Sequence, residues 1–279
     1  MISILFGFAS ALVWGTSDFL GGLFSQRASP YRVTFYAELF GMVALLAAVT
    51  VIPQQSLSLP EWGICILAGA IGSLGLLTLY VAMSTGKLSI AAPVSALTAA
   101  ILPVIAGIVT DGLPEITVLT GFALALVAVW LISRNSSGQE SALIGWKDLS
   151  LPLAAGVCFG TYFILIHQAS QQSVIWPMIG ARTGGTIAVF IAAAFKRQVS
   201  WSRGFPWPWV MLSGVLDVGG NALYLLAGQF GRLDVAAVLA SLYPGMTAVL
   251  AWLVLHEKIS RTQTVGIMVA LGAIVLITI

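Results

Sequence analysis

Apolar stretches of about 20 residues follow one another along almost the whole chain, each long enough at about 1.5 Å per residue to cross a hydrocarbon core about 30 Å thick. Lipid offers no partner to a free N–H or C=O, so only helices and closed barrels can pass through it. Barrel strands would show segments of about ten residues with strict apolar/polar alternation, and this sequence has none. Composition agrees: 59% of the 279 residues are hydrophobic and 8% are charged, against about 25% charged in a soluble domain. The chain therefore reads as an all-α integral membrane protein with the lipid bilayer as its surroundings. A net charge of +2, spread over short loops, gives no footprint for nucleic acid.

Pro, charged residues and Ser/Gln clusters bound ten windows, near 3–23, 33–52, 62–84, 88–110, 116–133, 150–168, 176–195, 207–228, 233–255 and 262–279. The opening MISILFGFASALVWG lacks the basic flank of a cleavable signal peptide and is taken as the first span. The longest connection, SRNSSGQESALIGWKD over 133–148, is polar and rich in Ser and Gly. It divides the chain into a first repeat, 1–133, a linker loop, 134–148, and a second repeat, 149–279.

GKLSIAAPVSAL at 86–97 returns 145 positions later as GRLDVAAVLASL at 231–242. The same offset lays Trp14-Gly15-Thr16 over Phe159-Gly160-Thr161 and Gly121 over Gly266. Each half carries five spans, an odd number, so the second copy must enter the membrane from the opposite side. The expected architecture is ten transmembrane helices as two inverted five-helix repeats. Packed inverted copies can exchange conformations and open a site between them to each side in turn.

A charge at mid-bilayer costs about 2.5–3.5 kcal/mol on insertion scales, so each one inside a span calls for a reason. Asp18, Glu38, Arg182 and Asp217 all fall within spans. On span eight, Asp217, Asn221 and Tyr224 recur at helical spacing, and on span one Ser10, Trp14, Ser17 and Asp18 share a stripe. Arg182 in a one-to-one pair neutralises one acid and leaves at least one over. Such a surplus carboxyl group carries a proton, awaits a cationic ligand, or serves as a structural hydrogen-bonding group.

Trp14, Tyr80, Tyr224, Tyr243 and Trp252 are the aromatic residues placed to line a cavity, with Tyr80 and Tyr224 in matching places of the two halves. Pro93, Pro103 and Pro244 interrupt the hydrogen-bonding of spans four and nine and are candidate hinges. His167, at the end of span six, and His256-Glu257, closing span nine, read as interfacial. Cys65 and Cys158 stand alone in apolar runs, and the two histidines are 89 positions apart. No metal site and no cofactor are expected.

Two five-span units, the early Trp-Gly, the Gly-Lys/Arg-Leu turn with Ala-Ala after it, and a span nine ending in Glu-Lys before Thr-Gln-x-x-Gly together resemble the EamA-type transporters of the drug/metabolite transporter superfamily. The resemblance covers essentially the whole chain and is most specific over 231–277. It implies a secondary transporter with a central cavity among helices one to four and six to nine, in a bacterial plasma membrane. Two departures stand out. Helix two carries Tyr36-Ala37-Glu38 where the family usually places an Arg, and helix four ends in TDGLPE in place of a counterpart to LHEK.

Together these readings describe a proton-coupled carrier of a small polar or amphipathic metabolite, an amino acid or related compound, and not an enzyme. A sugar or amine uptake carrier and an intramembrane enzyme on a lipid-linked substrate are the alternatives. The expected partners are that small molecule and a proton or cation as coupling ion, with a homodimer left open. Ten Arg and Lys residues fall in loops on one side and only Arg232 on the other. The positive-inside bias places both termini outside, whereas the resemblance implies cytoplasmic termini, and both orientations stay open.

Overall fold

The apolar stretches fold as helices bounded by the residues that stop them. The structure is a computed structural model and describes residues 1–52, 54–84, 88–132, 146–198, 204–255 and 261–278. In chain order the helices are α1 (Ile2–Ser25), α2 (Pro30–Val51), α3 (Leu59–Ser84), α4 (Leu88–Asp111), α5 (Ile116–Ile132), α6 (Trp146–Ala169), α7 (Ile175–Phe195), α8 (Trp207–Gln229), α9 (Leu233–Ala240), α10 (Tyr243–Leu255) and α11 (Arg261–Thr278). Pro30 opens α2, where its missing N–H costs nothing. Gly112, at φ +79°, adopts the left-handed turn that closes α4. The Gln54 side chain accepts the N–H groups of Val174 and Ile175 at the start of α7, at 2.9 and 2.8 Å.

Eight stretches are long and apolar enough to cross a membrane, α9 and α10 counting as one, and α5 and α11 carry shorter apolar segments. Large side chains such as Val43, Leu67, Ile105, Ile187 and Leu253 are exposed around the outside, as lipid contact requires. The Gly86-Lys87 turn, most of the linker loop, and His256 and Glu257 lie outside the described residues.

The ninth apolar stretch departs from the expected single helix. Pro244 has no N–H for the Ala240 carbonyl, and its ring crowds that position. The chain turns there through Ser241 and Leu242, with the Leu242 N–H on Leu239 O at 3.2 Å and the Gly245 N–H on Leu242 O at 2.9 Å. Pro103 and the backbone of Pro93 lie inside α4, which runs unbroken.

Helix α1 packs on α8, α9 and α10; α6 packs on α3 and α4; α2 lies against α7 and α8; α3 also meets α7; α4 meets α9; and α5 pairs with α11. Exchanging α1 with α6, α2 with α7, α3 with α8, α4 with α9 and α10, and α5 with α11 maps this set of contacts onto itself. Two devices bring helices close. Along α1 and α8, the hydroxyls of Ser3, Ser10 and Ser17 donate to the carbonyls of Ala227, Gly220 and Ser213 at 2.8, 2.8 and 2.9 Å. Between α3 and α7, backbones approach so closely that a Cβ at Gly69 would sit 1.8 Å from Ala181 O, and one at Gly184 would sit 1.9 Å from Ile66 O.

At one end of the bundle Arg232 ties α4 to α9. Its guanidinium donates to Asp111 O at 3.2 Å and Gly112 O at 2.7 Å, orphan carbonyls at the end of α4. The fully buried Asp234 carboxylate holds the same guanidinium at 2.8 Å.

Candidate functional site

Helices α2, α7 and α8 meet where each carries an ionisable residue about two turns or more from its nearest end. Arg182 on α7 reaches two carboxylates. Its Nη1 lies 2.8 Å from Glu38 Oε2 on α2, an ion pair outside hydrogen-bond angles, and its Nη2 donates to Asp217 Oδ2 on α8. The one-to-one pairing assumed from the sequence is thereby corrected, because two guanidinium nitrogens face two different helices.

Neutral groups extend the network. Ser73 on α3 donates to Glu38 Oε1 at 2.7 Å. The Asn221 amide donates to Asp217 Oδ2 at 3.2 Å and to Asp217 O at 2.8 Å, and its oxygen accepts from the Tyr162 hydroxyl of α6 at 2.5 Å. Glu38, Arg182 and Asn221 are each less than 9% exposed. Burying such charges is tolerable only when they are paired and hydrogen-bonded.

The network forms one wall of a cavity with about 690 Å³ of empty space, its open mouth included. Trp14, Asp18, Ser73, Phe159, Tyr162, Phe163, Met178 and Tyr243 complete much of the lining. Trp14 stacks on Phe163 with ring centroids 5.4 Å apart. The Tyr243 hydroxyl is spent on α4, donating to Ala92 O at 3.0 Å and lying 2.9 Å from Ser95 Oγ, so its ring is what faces inward. Asp18 is 7% exposed and lines the cavity. Among the described residues no hydrogen bond or ion pair reaches its carboxylate.

The structure thus gathers Trp14, Asp18, Glu38, Arg182, Asp217, Asn221 and Tyr243 around one space. Tyr80 and Tyr224 are buried beside it, each 1% exposed, and do not belong to the lining. Tyr224 backs the aromatic wall at 4.6 Å from Phe163 and 5.7 Å from Trp14. Trp252 is 48% exposed, on the outer surface. His167 turns its Nδ1 toward α8, where a Cβ at Gly228 would lie 2.7 Å away. Nothing in the sequence singles out Ser73, while Tyr162 directly follows the repeated Gly-Thr pair, the one signal that marks it. Among the described residues no group of three His, Cys, Asp or Glu side chains could hold a metal ion.

The gathered groups can pair with a cation, exchange a proton, or hold a small molecule between aromatic faces. The model of the EamA-like transporter family matches residues 1–134 and again 146–279. No match is found among curated proteins. A solved structure titled "Crystal structure of protein" superposes with a TM-score of 0.80 at 16% identity, covering 99% of this chain and 96% of its own. At that identity the likeness concerns the fold alone. With its two matched repeats spanning nearly every residue, the chain belongs to the EamA-like transporter family, within the drug/metabolite transporter superfamily.

Proposed function

We propose that the protein is a secondary active transporter of a small polar or amphipathic metabolite, coupled to protons and working by alternating access between two inverted five-helix repeats in a bacterial plasma membrane. The observation that carries this reading is the charge balance of the cavity: among the described residues it is lined by three carboxylates, Asp18, Glu38 and Asp217, and one cation, Arg182. One guanidinium offsets one negative charge. The remainder favours a bound proton or cation, since unpaired charge in a low-dielectric interior is costly.

The cavity also lies between helices that pack as two groups. Trp14, Asp18, Asp217, Asn221 and Tyr243 come from α1, α8 and α10, whereas Ser73, Phe159, Tyr162, Phe163 and Arg182 come from α3, α6 and α7. The Arg182–Asp217 pair and the Tyr162–Asn221 bond cross from one group to the other. A proton delivered to Asp217 removes the charge that holds Arg182 across the two groups, so protonation loosens the contact that keeps them together. The Arg232 tie between α4 and α9 closes one end of the same seam and must open when that end does.

The test is flux in proteoliposomes loaded with a pH-sensitive dye, screened against amino acids, sugars, nucleobases and amines. Substrate entry should move protons, and Glu38→Gln with Asp217→Asn should abolish that movement. Undiminished coupled flux in the double variant rules out the coupling assignment. Chemical turnover without vectorial movement would instead favour an intramembrane enzyme.

A further inference from the structure

On the transporter reading, on which this inference rests, the charge of the substrate is still open. An amino acid brings a carboxylate as well as an ammonium group, and its carboxylate needs a free cation or an unused set of donors. Among the described residues Arg182 is the cation on the cavity wall, and its Nη1 and Nη2 are already engaged by Glu38 and Asp217. The Asn221 amide is spent on Asp217, and the Tyr162 hydroxyl on Asn221. Ser73 donates to Glu38. The donors of Arg182, Asn221, Ser73 and Tyr162 are therefore already engaged within the network.

Acceptors tell the opposite story. Asp18 is buried to 7% exposure, faces the cavity, and receives no hydrogen bond or ion pair from any described residue. One helical turn before it on α1 stands Trp14, stacked on Phe163 and also lining the cavity. Tyr243, from α10, lines the same cavity. A carboxylate beside aromatic faces suits an ammonium group, which pairs with the first and is attracted to the ring quadrupole of the second. Phe159, Phe163, Met178 and Leu76 leave apolar surface for the rest of the ligand.

We propose that the cavity binds amines in preference to amino acids: a protonated amino group held by Asp18, with an apolar or aromatic body between Trp14, Phe163 and Tyr243. Asp18 is then the residue that sets charge specificity, while the Glu38–Arg182–Asp217 network repels added negative charge.

The experiment compares 2-phenylethylamine, L-phenylalanine and 3-phenylpropionate, which share one ring and differ in charge, by calorimetric titration of the purified full chain in detergent at neutral pH. The amine should bind, with at least tenfold weaker binding of phenylalanine and none of the acid. Asp18→Asn should weaken the amine at least tenfold and Asp18→Glu should restore much of it. Equal or tighter binding of phenylalanine, no binding of the amine to folded wild-type protein, or full amine affinity in Asp18→Asn overturns the proposal. The wild-type comparison decides even if Asp18→Asn fails to fold. Flux of the same three compounds in proteoliposomes separates the two readings: amine binding without flux sinks transport and leaves the charge preference, whereas phenylalanine flux without amine binding sinks the preference and leaves transport.

Discussion

Two helix pairs related by the internal repeat are joined by different chemistry. Helices α1 and α8 are fastened by three hydroxyl-to-carbonyl bonds, from Ser3, Ser10 and Ser17. At the 145-residue offset, Ser10 and Gly220 correspond to Ala155 and Gly75, and Ser17 and Ser213 correspond to Tyr162 and Ala68. On that second pair, α6 with α3, the place of the middle bond is taken by plain packing: a Cβ at Gly75 would lie 2.8 Å from Cys158 Cβ and 3.3 Å from Ala155 O. The hydroxyl matching Ser17 belongs to Tyr162, and it turns away from the helix contact toward Asn221 in the cavity. The two seams thus differ: one is fastened by hydroxyls, while the other has Ala155 in the place of Ser10 and turns the Tyr162 hydroxyl to the site.

The largest effect expected is on what links the two seams. Arg182→Gln leaves Glu38 and Asp217 buried without their counter-ion, which should cost about 3–5 kcal/mol of stability. A sharply lowered melting temperature in detergent, largely regained when Glu38→Gln and Asp217→Asn are added, is the predicted result. An unchanged melting temperature would show that the ion pairs do not hold α2, α7 and α8 together. Next comes the smooth seam: Gly75→Val should cost about 1–3 kcal/mol by overpacking against Cys158, and tolerance of the extra methyls would reveal a gap there.

The fastened seam should respond more gently. Ser10→Ala with Ser17→Ala removes two interhelical hydrogen bonds, worth about 0.6 kcal/mol each on average within membranes. Thermal unfolding should register a loss of a little over 1 kcal/mol, and a loss of zero would mean that other groups satisfy those carbonyls equally well. Smallest of all is Ala155→Ser, which offers the smooth seam the rung it lacks. A gain of at most about 0.6 kcal/mol is expected, and a loss of stability would show that a hydroxyl at residue 155 finds no acceptor on α3.

Helix positions could be read from the sequence because the bilayer imposes a length and the duplication repeats it. The ninth stretch escaped, since Pro244 and Pro103 look alike as letters while only Pro244 follows a break, in the first turn of α10. The ionisable members of the cavity were visible because a charge inside an apolar run is conspicuous. Their pairing was not, because Arg182 meets residues 144 positions before it and 35 after it, and linear order does not tell which helices adjoin. Matching places in the repeat drew attention to Tyr80 and Tyr224, yet symmetry says nothing about which face meets the cavity, and both pack behind it. The seven-residue spacing of Ser3, Ser10 and Ser17 was present in the letters. Its meaning depends on backbone carbonyls across the seam, which every residue carries and no sequence distinguishes.

The central claim is that the space beside Arg182 opens to each side of the membrane in turn. Ser73 lines that space from α3, and the two native thiols, Cys65 and Cys158, are free. In a Cys65→Ala, Cys158→Ala background, Ser73→Cys can be probed in sealed vesicles with an impermeant thiol reagent supplied outside only or inside only. Alternating access predicts labelling from either face. Labelling confined to one face at every pH and with every ligand tried would contradict it.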